Sequence, residues 1–289
     1  MKRRILQKLF FSLKGFVDKK FPYLARAYRF FRAERYEFIE PKNTPMGFKF
    51  NGDKAMENGS FEPTETKLFY KILNKVDVCI NVGANIGYYV CIAANEGKKV
   101  IAFEPLHQNV KYLLRNIKAN NWSDQIEVYP IGLGEKVSIA ELYGSGTGAS
   151  LVEGWAGVSN QFKTYIPVST MDITLQNKFK DDLKVIIIDV EGFEFEVLKG
   201  SKNFLKAKNK PIWMIEIQTE AHQPGEIIIN PNLLQTFDLF FSEGYEAFTV
   251  EDNPQKVTRE MLESIKASGK SIFSIHNFLF KDPDLDLKF

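Results

Sequence analysis

A glycine loop and an acid that follows it are the residues of this chain best suited to hold a small ligand. The run Asn81-Val82-Gly83-Ala84-Asn85-Ile86-Gly87 ends a short apolar stretch, and Glu104 lies 21 residues after Gly83. Glycines let backbone N–H groups approach a ligand closely, and an acid about 20 residues further on can bind ribose hydroxyls. This spacing predicts a site for a cofactor that contains a nucleoside.

The pattern of the loop indicates which cofactor this is. It is G-x-x-x-G, which is neither the G-x-G-x-x-G of dinucleotide sites nor the phosphate loop that ends in Gly-Lys-Ser/Thr. No Lys or Arg occurs between residues 76 and 97. A site without cations favours a ligand that lacks phosphate and has a cationic reactive end, and S-adenosylmethionine carries a sulfonium and an ammonium. The alternative is a turn that serves only the fold.

Further acids follow two other predicted strands. Asp189 and Glu191 come after the apolar run 185–188, which is typical of a buried strand, and being two apart they face the same way in extended chain. There they would favour a cation and hold an acceptor hydroxyl, although acids also cap helices. A hydroxyl acceptor must lose its proton. We assign that step to Asp189 first and His222 second, with Glu216 orienting the acceptor.

A metal site is the alternative use of these acids. Asp189, Glu191 and Glu216 are of the type that binds a divalent ion, but no cluster of His, Cys or Asp has the spacing of metal ligands. We therefore predict no metal. Likewise, a histidine in a loop such as His222 is more often a solvated side chain than a catalytic one.

Hydrophobic periodicity indicates the elements that position these residues. Strands are predicted over 76–82, 99–104, 125–131, 184–189, 211–217, 245–250 and 271–280. Helices are predicted over 63–74, between the first two strands, and over 107–119, 192–206, 231–242 and 257–268. Two more strands, 136–143 and 162–168, flank a glycine-rich segment, 144–157. This alternation predicts an α/β, Rossmann-like fold with a mainly parallel seven-stranded sheet flanked by helices and a ligand at the carboxyl ends of its strands.

Several short motifs closely resemble those of the FkbM-type methyltransferases. They are the 81–87 run, Phe103-Glu104-Pro105, Asn116-Ile117, Met171-Asp172, Ile188-Asp189-Val190-Glu191-Gly192, Glu194, Val197-Leu198-Lys199-Gly200 and Glu216-Ile217. The resemblance runs from about residue 61 to residue 250. It implies a methyltransferase fold, S-adenosylmethionine as cofactor, and O-methylation, with a sugar hydroxyl of a glycan or glycolipid precursor as the favoured acceptor. The alternatives are O- or N-methylation of a small metabolite and a non-catalytic module that scaffolds a membrane assembly.

The resemblance also implies which residues hold the cofactor. They are Asn81, Gly83, Ala84, Asn85, Gly87, Glu104, Pro105 and Asp189. Glu65, in the segment before the glycine loop, would meet the amino-acid end of the cofactor, although acids are also common in a first helical turn. Two positions depart from the family, which usually has Asp in place of Asn81 and Lys in place of Ile187. We expect the first change to weaken cofactor binding and the second to remove a cation that is either buried or faces the site, which affects the details of the acceptor site.

The charge of the chain is unevenly distributed. Its formal net charge is +2, but residues 1–35 contain eleven Lys and Arg against two acids, which leaves −7 for the rest. Eight aromatic residues lie among these cations. Residues 1–60 are therefore predicted to be a basic, aromatic-rich extension with helices over 3–18 and 23–34 and short strands, and residues 61–289 to be the cofactor-binding domain. The extension would contact an anionic membrane or pack as a cap on the domain, and nucleic acid is the least favoured partner.

The remaining sequence features point to an intracellular location. No run of 18 apolar residues occurs, and the basic N-terminal region has no signal-peptide pattern. Cys79 and Cys91 lie in apolar stretches, which is typical of reduced core thiols. We expect a cytoplasmic protein, with peripheral contact at the inner face of a membrane if the extension binds lipid.

Overall fold

The computed structural model of the chain describes residues 39–161, 163–176 and 178–287. The two helices predicted in the N-terminal extension, and the membrane contact expected of residues 1–35, lie outside the described residues. Within the described part, no helix has both the length and the apolar character that crossing a bilayer would require.

The regular elements alternate along the described chain, as the sequence predicts. The strands are β1 (Lys42–Asn43), β2 (Lys49–Phe50), β3 (Val78–Val82), β4 (Lys99–Phe103), β5 (Ile126–Tyr129), β6 (Gly132–Leu133), β7 (Ser138–Tyr143), β8 (Lys163–Ser169), β9 (Lys184–Ile188), β10 (Ile212–Glu216), β11 (Glu246–Thr249), β12 (Lys256–Val257) and β13 (Asn277–Lys281). The helices are α1 (Lys54–Glu57), α2 (Pro63–Leu73), α3 (Tyr88–Asn95), α4 (His107–Ala119), α5 (Met171–Leu175), α6 (Glu194–Lys199), α7 (Lys202–Leu205), α8 (Leu233–Phe241) and α9 (Arg259–Ser268).

The central sheet has the strand order β12-β11-β13-β10-β9-β3-β4-β5. The pairs β10–β9, β9–β3, β3–β4 and β4–β5 are parallel, whereas β13 runs antiparallel to both of its neighbours. The prediction of an α/β, mainly parallel seven-stranded sheet is confirmed, and the two-residue β12 adds an eighth strand at one edge. A separate three-stranded sheet, β6-β8-β7, contains the two strands predicted around the glycine-rich segment.

Helices cover both faces of the central sheet. Every residue of β3 and β9 is buried, as expected for parallel strands packed on two sides. Side chains that point to one face join a core with helices α2, α3 and α4, and those that point to the other join a core with α6, α7, α8 and α9. The loops at the carboxyl ends of the parallel strands are thereby held between two packed layers.

Two predicted elements differ clearly in extent from those of the structure, and α1, α5, β6 and β12 are not among the predicted elements. The helix predicted over 192–206 is divided at Gly200-Ser201, where the chain passes so close to Gly134 that a Cβ on Gly200 would lie 2.0 Å from the Gly134 carbonyl oxygen. The strand predicted over 271–280 begins only at Asn277, because Ser271 is used in a turn. Its backbone N–H donates to Glu220, and its hydroxyl bonds to Thr219.

Candidate active site

A cleft lies where the carboxyl ends of β3, β4 and β9 meet. It contains about 590 Å³ of empty space, part of which is open solvent. It is lined by Val82, Gly83, Asn85, Phe103, Glu104, Pro105, Asn109, Ile131, Gly132, Leu133, Leu142, Gly146, Thr147, Ala149, Leu151, Asp189, Val190 and Glu191. Strand β3 has β4 on one side and β9 on the other, so the cleft occupies the switch point where an open α/β sheet binds its ligand.

The glycine loop brings two strand ends into direct contact. Gly83 has a φ of +80°, and a Cβ at this position would lie 1.8 Å from the backbone oxygen of Asp189. Only glycine fits there, so the loop after β3 can lie against the loop after β9. Asn85 has a φ of +51°, and its buried Oδ1 has no hydrogen-bond partner among the described residues. An unpaired buried acceptor beside a cleft indicates that a donor is to be supplied from outside the chain.

Of the other predicted loop residues, three do not line the cleft. Asn81 and Ala84 are buried below it, and Gly87 begins helix α3, where a Cβ would lie 2.4 Å from Leu113. Asn81, Ala84 and Gly87 therefore shape the loop rather than its ligand-facing surface. Asn116 ties this loop to the N-terminal strands, because its side chain donates to the carbonyls of Ile86 and Asn51.

Glu104 is held by three N–H donors of the protein. Its Oε2 accepts from the backbone N–H of Asn85 at 2.8 Å, and its Oε1 accepts from that of Leu106 at 2.8 Å and from Asn109 Nδ2 at 3.2 Å. Burial raises the pKa of Glu104, and these hydrogen bonds oppose the rise. The carboxylate is thus fixed in one orientation at the wall of the cleft, with acceptor capacity left for a ligand hydroxyl.

Asp189 joins the cleft to a group of carboxyl side chains. It is exposed toward the cleft, yet protein surrounds it, and it shares a hydrogen bond with the Glu216 carboxyl. Loss of bulk water and the nearby charges of Glu216, Glu191 and Glu62 raise the pKa of Asp189 well above its ordinary value. Glu62, Asp189, Glu191 and Glu216 are called the acidic group below.

Glu62 is a member of the acidic group that sequence reasoning did not select. It precedes Pro63 at the start of α2 with a φ of +42°, and Tyr89 Oη donates to its Oε2 at 2.6 Å. Burial raises the pKa of Glu62 to about 7, the Tyr89 hydrogen bond opposes the rise, and Glu65 and Glu216 add to it. The signal in the sequence is an acid directly before a helix-starting proline. Glu65, which is predicted from the sequence to meet the amino-acid end of the cofactor, accepts a hydrogen bond from Asn277 Nδ2 and does not line the cleft.

Glu191 is attached to the glycine-rich segment. Its φ is +54°, its Oε2 accepts from Trp155 Nε1 at 2.9 Å, and its backbone oxygen accepts from the Ser150 hydroxyl at 2.6 Å. The Trp155 ring fills the space of the Cβ that Gly192 lacks, with atoms 2.5 Å from that point. The buried Glu194 carboxyl accepts a hydrogen bond from the Gly192 N–H and so stabilises the turn that contains Glu191 and Gly192. Sequence reasoning missed the contacts of Ser150 and Trp155, because they join residues about 40 positions apart.

Glu216 and His222 follow β10 but lie in different surroundings. Glu216 accepts a hydrogen bond from Gln218 Nε2 at 2.5 Å and belongs to the acidic group. His222 is exposed, its ring centroid is 6.0 Å from that of Trp155, and its backbone oxygen accepts from Ala156 N–H. It therefore sits beside the glycine-rich segment. Within the described residues, no set of three or more His, Cys, Asp or Glu side chains is arranged to hold a metal ion.

Comparisons with known proteins point to one family. The sequence profile of the Methyltransferase FkbM domain matches residues 81–247. A methyltransferase FkbM from Methylobacillus flagellatus KT is 19% identical over 71% of this chain and 44% of its own chain, with a TM-score of 0.44. A precorrin-6y C5,15-methyltransferase from Geobacter metallireducens is 11% identical over 80% of this chain and 94% of its own, with a TM-score of 0.42. This chain spans less than half the length of the Methylobacillus protein. No curated protein matches it.

Proposed function

The chain belongs to the FkbM methyltransferase family, and on that premise we propose that it moves a methyl group from S-adenosylmethionine to a hydroxyl of a sugar. The sugar belongs to a glycan or a glycolipid precursor. The observation that carries the proposal is the cleft at the end of β3, where a glycine turn, the fixed carboxylate of Glu104 and the exposed acid Asp189 meet. No Lys or Arg occurs in either loop segment that borders it, 76–97 or 185–198.

The residues of the cleft fit S-adenosylmethionine. Glu104 has acceptor capacity for ribose hydroxyls, and the unpaired Oδ1 of Asn85 needs a donor. Asp189 and Glu191 place carboxyl groups at the cleft, and an ammonium or sulfonium beside them would favour their charged forms. Phosphate-bearing cofactors fit less well, because no cation of the loop would offset their charge. When bound, S-adenosylmethionine supplies a methyl group activated by the sulfonium.

The chain itself must position the acceptor and accept its proton. Asp189 is the proton acceptor in this proposal, because a pKa raised by burial and by Glu216 makes its carboxylate a stronger base than an ordinary Asp. Glu216 lies beside Asp189, because β10 pairs in parallel with β9 and Ile215 is opposite Ile188. Glu191, held by Trp155, restricts where the acceptor hydroxyl can sit. When the cofactor supplies the reactive group, positioning of the acceptor accounts for much of the rate enhancement.

Calorimetry on the full chain tests the cofactor. S-Adenosylmethionine and S-adenosylhomocysteine should each bind at one site, and NAD, which shares the adenosine but carries a pyrophosphate, should give no more heat than buffer. Tight NAD binding, or no binding of either sulfur compound, would contradict the proposal. Mass spectrometry of candidate glycans incubated with the chain and S-adenosylmethionine then tests the acceptor, and a mass gain of one methyl group on a sugar supports it.

The N-terminal extension is proposed to bind an anionic membrane. Its eleven cations and eight aromatic residues in positions 1–35 support this, because each Lys or Arg near such a surface contributes about 1 kcal/mol. The full chain should sediment with anionic vesicles, not with neutral ones, and should be released by 1 M salt. A chain beginning at Tyr36 should lose vesicle binding and still bind S-adenosylhomocysteine. If that shorter chain precipitates instead, the extension is a cap on the domain and the membrane proposal fails.

A further inference from the structure

We propose that Glu62, Asp189, Glu216 and Gln218 form a subsite for a positively charged amine on the acceptor molecule. This amine subsite deepens the proposed function and rests on it, because it names a chemical class of acceptor. An amino sugar with a free amine is such an acceptor. Neutral sugars would bind there less tightly, and sugars that carry phosphate would bind least.

The amine subsite adjoins the cleft without being part of it. Asp189 lines the cleft and faces it, whereas Glu62, Glu216 and Gln218 do not line it. Glu216 shares a hydrogen bond with Asp189, and the charge of Glu62 acts on Asp189. Glu216 and Gln218 follow β10, which lies across β9 from β3 and the glycine loop, whereas Glu62 accepts a hydrogen bond from Tyr89 near the start of α3. A cofactor held in the cleft would leave the Glu216 and Gln218 side chains to a second molecule.

The side chains of the amine subsite lie among carboxyl groups that act on one another. The charges that shift the pKa of Asp189 are the carboxylates of Glu216, Glu191 and Glu62, and those acting on Glu62 are Glu65 and Glu216. The sequence shows how this arises. No Lys or Arg occurs in 55–66, 76–97, 185–198 or 211–255, which include the loops that meet at this edge of the sheet. Carboxylates this close repel one another, and a cation among them relieves the repulsion.

Gln218 provides a second observation that points to a ligand. Its side chain is 5% exposed, and its Nε2 donates to Glu216 Oε1, so its amide lies within the carboxyl cluster. Its Oε1 is buried without a hydrogen-bond partner among the described residues. A buried acceptor without a donor is costly. The unpaired oxygen and the carboxylates beside it are all acceptors, so the missing partner must bring N–H or O–H donors.

An ammonium group meets both requirements at once. It has three N–H donors, no acceptor, and a positive charge. A hydroxyl meets only the first requirement, and a phosphate meets neither, since it brings acceptors and negative charge. This difference makes the proposal testable with sugars that share one ring and differ only in charge.

The experiment measures binding of glucosamine, glucose and glucose 6-phosphate to the full chain saturated with S-adenosylhomocysteine. Ligand-observed NMR suits the weak affinities expected of fragments. We expect glucosamine to bind about tenfold more tightly than glucose, which is about 1.4 kcal/mol, and glucose 6-phosphate to bind more weakly than glucose. Glu62→Gln and Glu216→Gln should each reduce the preference for glucosamine. Glu226→Gln removes an exposed carboxylate from the loop after β10 and is the matched control.

The outcomes separate this proposal from the one on which it rests. If S-adenosylhomocysteine does not bind, the proposed function fails. If it binds and the three sugars bind equally, or if glucose binds more tightly than glucosamine, the amine subsite is wrong. Equal loss of preference in Glu226→Gln would also overturn it, because the effect would then come from net charge. Unchanged affinity of the Gln variants for S-adenosylhomocysteine, together with an unchanged Tm, shows that they are folded.

Discussion

The carboxylates on the two sides of Asp189 differ in how many hydrogen-bond donors of the protein hold them. On the side of the glycine loop, Glu104 receives three N–H donors from the protein and is fixed before any ligand arrives. On the other side, Glu62 and Glu216 each accept one hydrogen bond, from Tyr89 Oη and from Gln218 Nε2, and Gln218 keeps an oxygen without a partner among the described residues. In the proposed function, the cofactor side with Glu104 is preorganised, and the acceptor side with Glu62, Glu216 and Gln218 is completed by the acceptor's own donors and charge.

The largest effect should follow from removing the charge of Asp189, where the two sides meet. Asp189→Asn keeps the shape but cannot accept a proton, so we expect turnover to fall about 10²- to 10⁴-fold. Release of S-adenosylhomocysteine in the presence of an acceptor with a free hydroxyl measures it. Asp181→Asn, an exposed acid elsewhere, is the control. Wild-type turnover in Asp189→Asn would show that another group takes the proton.

Removing the fixed carboxylate of Glu104 should lower the affinity for S-adenosylhomocysteine and not only the turnover. Glu104→Ala deletes the ribose acceptor and also frees the Asn85 and Leu106 N–H groups that it holds. We expect the affinity for S-adenosylhomocysteine to fall by about 1.5–3 kcal/mol, the scale of a hydrogen bond to a charged group. Calorimetry measures this loss, with Glu127→Ala, which breaks an exposed ion pair with Lys178, as the control. Full affinity in Glu104→Ala would refute its assigned role.

The pH dependence of stability tests whether the Glu194 carboxyl is buried in the folded chain. Burial raises the pKa of Glu194 from 4.5 to about 8, so the folded chain holds this proton more tightly than the unfolded chain. The free energy of unfolding should therefore fall as pH rises from about 4.5 to about 8, by at most about 1.4 kcal/mol per pH unit for this group. Denaturant unfolding at several pH values measures the slope. Glu194→Gln should flatten it and Glu226→Gln should not. An unchanged slope in Glu194→Gln would contradict the assignment.

The smallest expected effect concerns the attachment of the glycine-rich segment to Glu191. Trp155→Phe keeps a ring against Gly192 but removes the N–H whose hydrogen bond Glu191 accepts. The attachment of the glycine-rich segment should weaken by at most about 1–3 kcal/mol, the cost of leaving a buried acceptor without its donor. Protease cleavage within residues 144–157 should become faster, and in the unmodified chain it should slow when S-adenosylhomocysteine and an acceptor are bound. Trp122→Phe, which changes a tryptophan that packs on Phe48, is the control. Equal cleavage rates in all samples would mean that the segment is not tied to the site.

The cofactor side was largely predictable from sequence because its parts are close together in the chain. The glycine loop and Glu104 lie within about 20 residues and share a strand–turn–helix–strand unit, so spacing rules apply to them. The acceptor side draws Glu62, Trp155, Glu191 and Gln218 from four separate segments. Only the order of strands in the sheet brings these segments together, and no local spacing encodes that order.

The two departures from the family pattern show the same limit. In the sequence, Asn81 and Ile187 are more than 100 residues apart and read as separate changes. In the sheet they are neighbours, since Asn81 on β3 pairs with Ile187 on β9, and each is 3% exposed. Ile187 does not line the cleft. At these two neighbouring positions this chain has an amide and a hydrocarbon, neither of which carries a charge.

A crystal structure of the full chain with S-adenosylhomocysteine and glucosamine tests the central claim most directly. We expect the ribose hydroxyls on Glu104, the amino-acid end of the cofactor product in the cleft near Asp189, and the glucosamine amine among Glu62, Glu216 and Gln218. Binding of S-adenosylhomocysteine away from Glu104, or of the amine outside the acidic group, would contradict the division into a preorganised cofactor side and an acceptor side completed by its ligand.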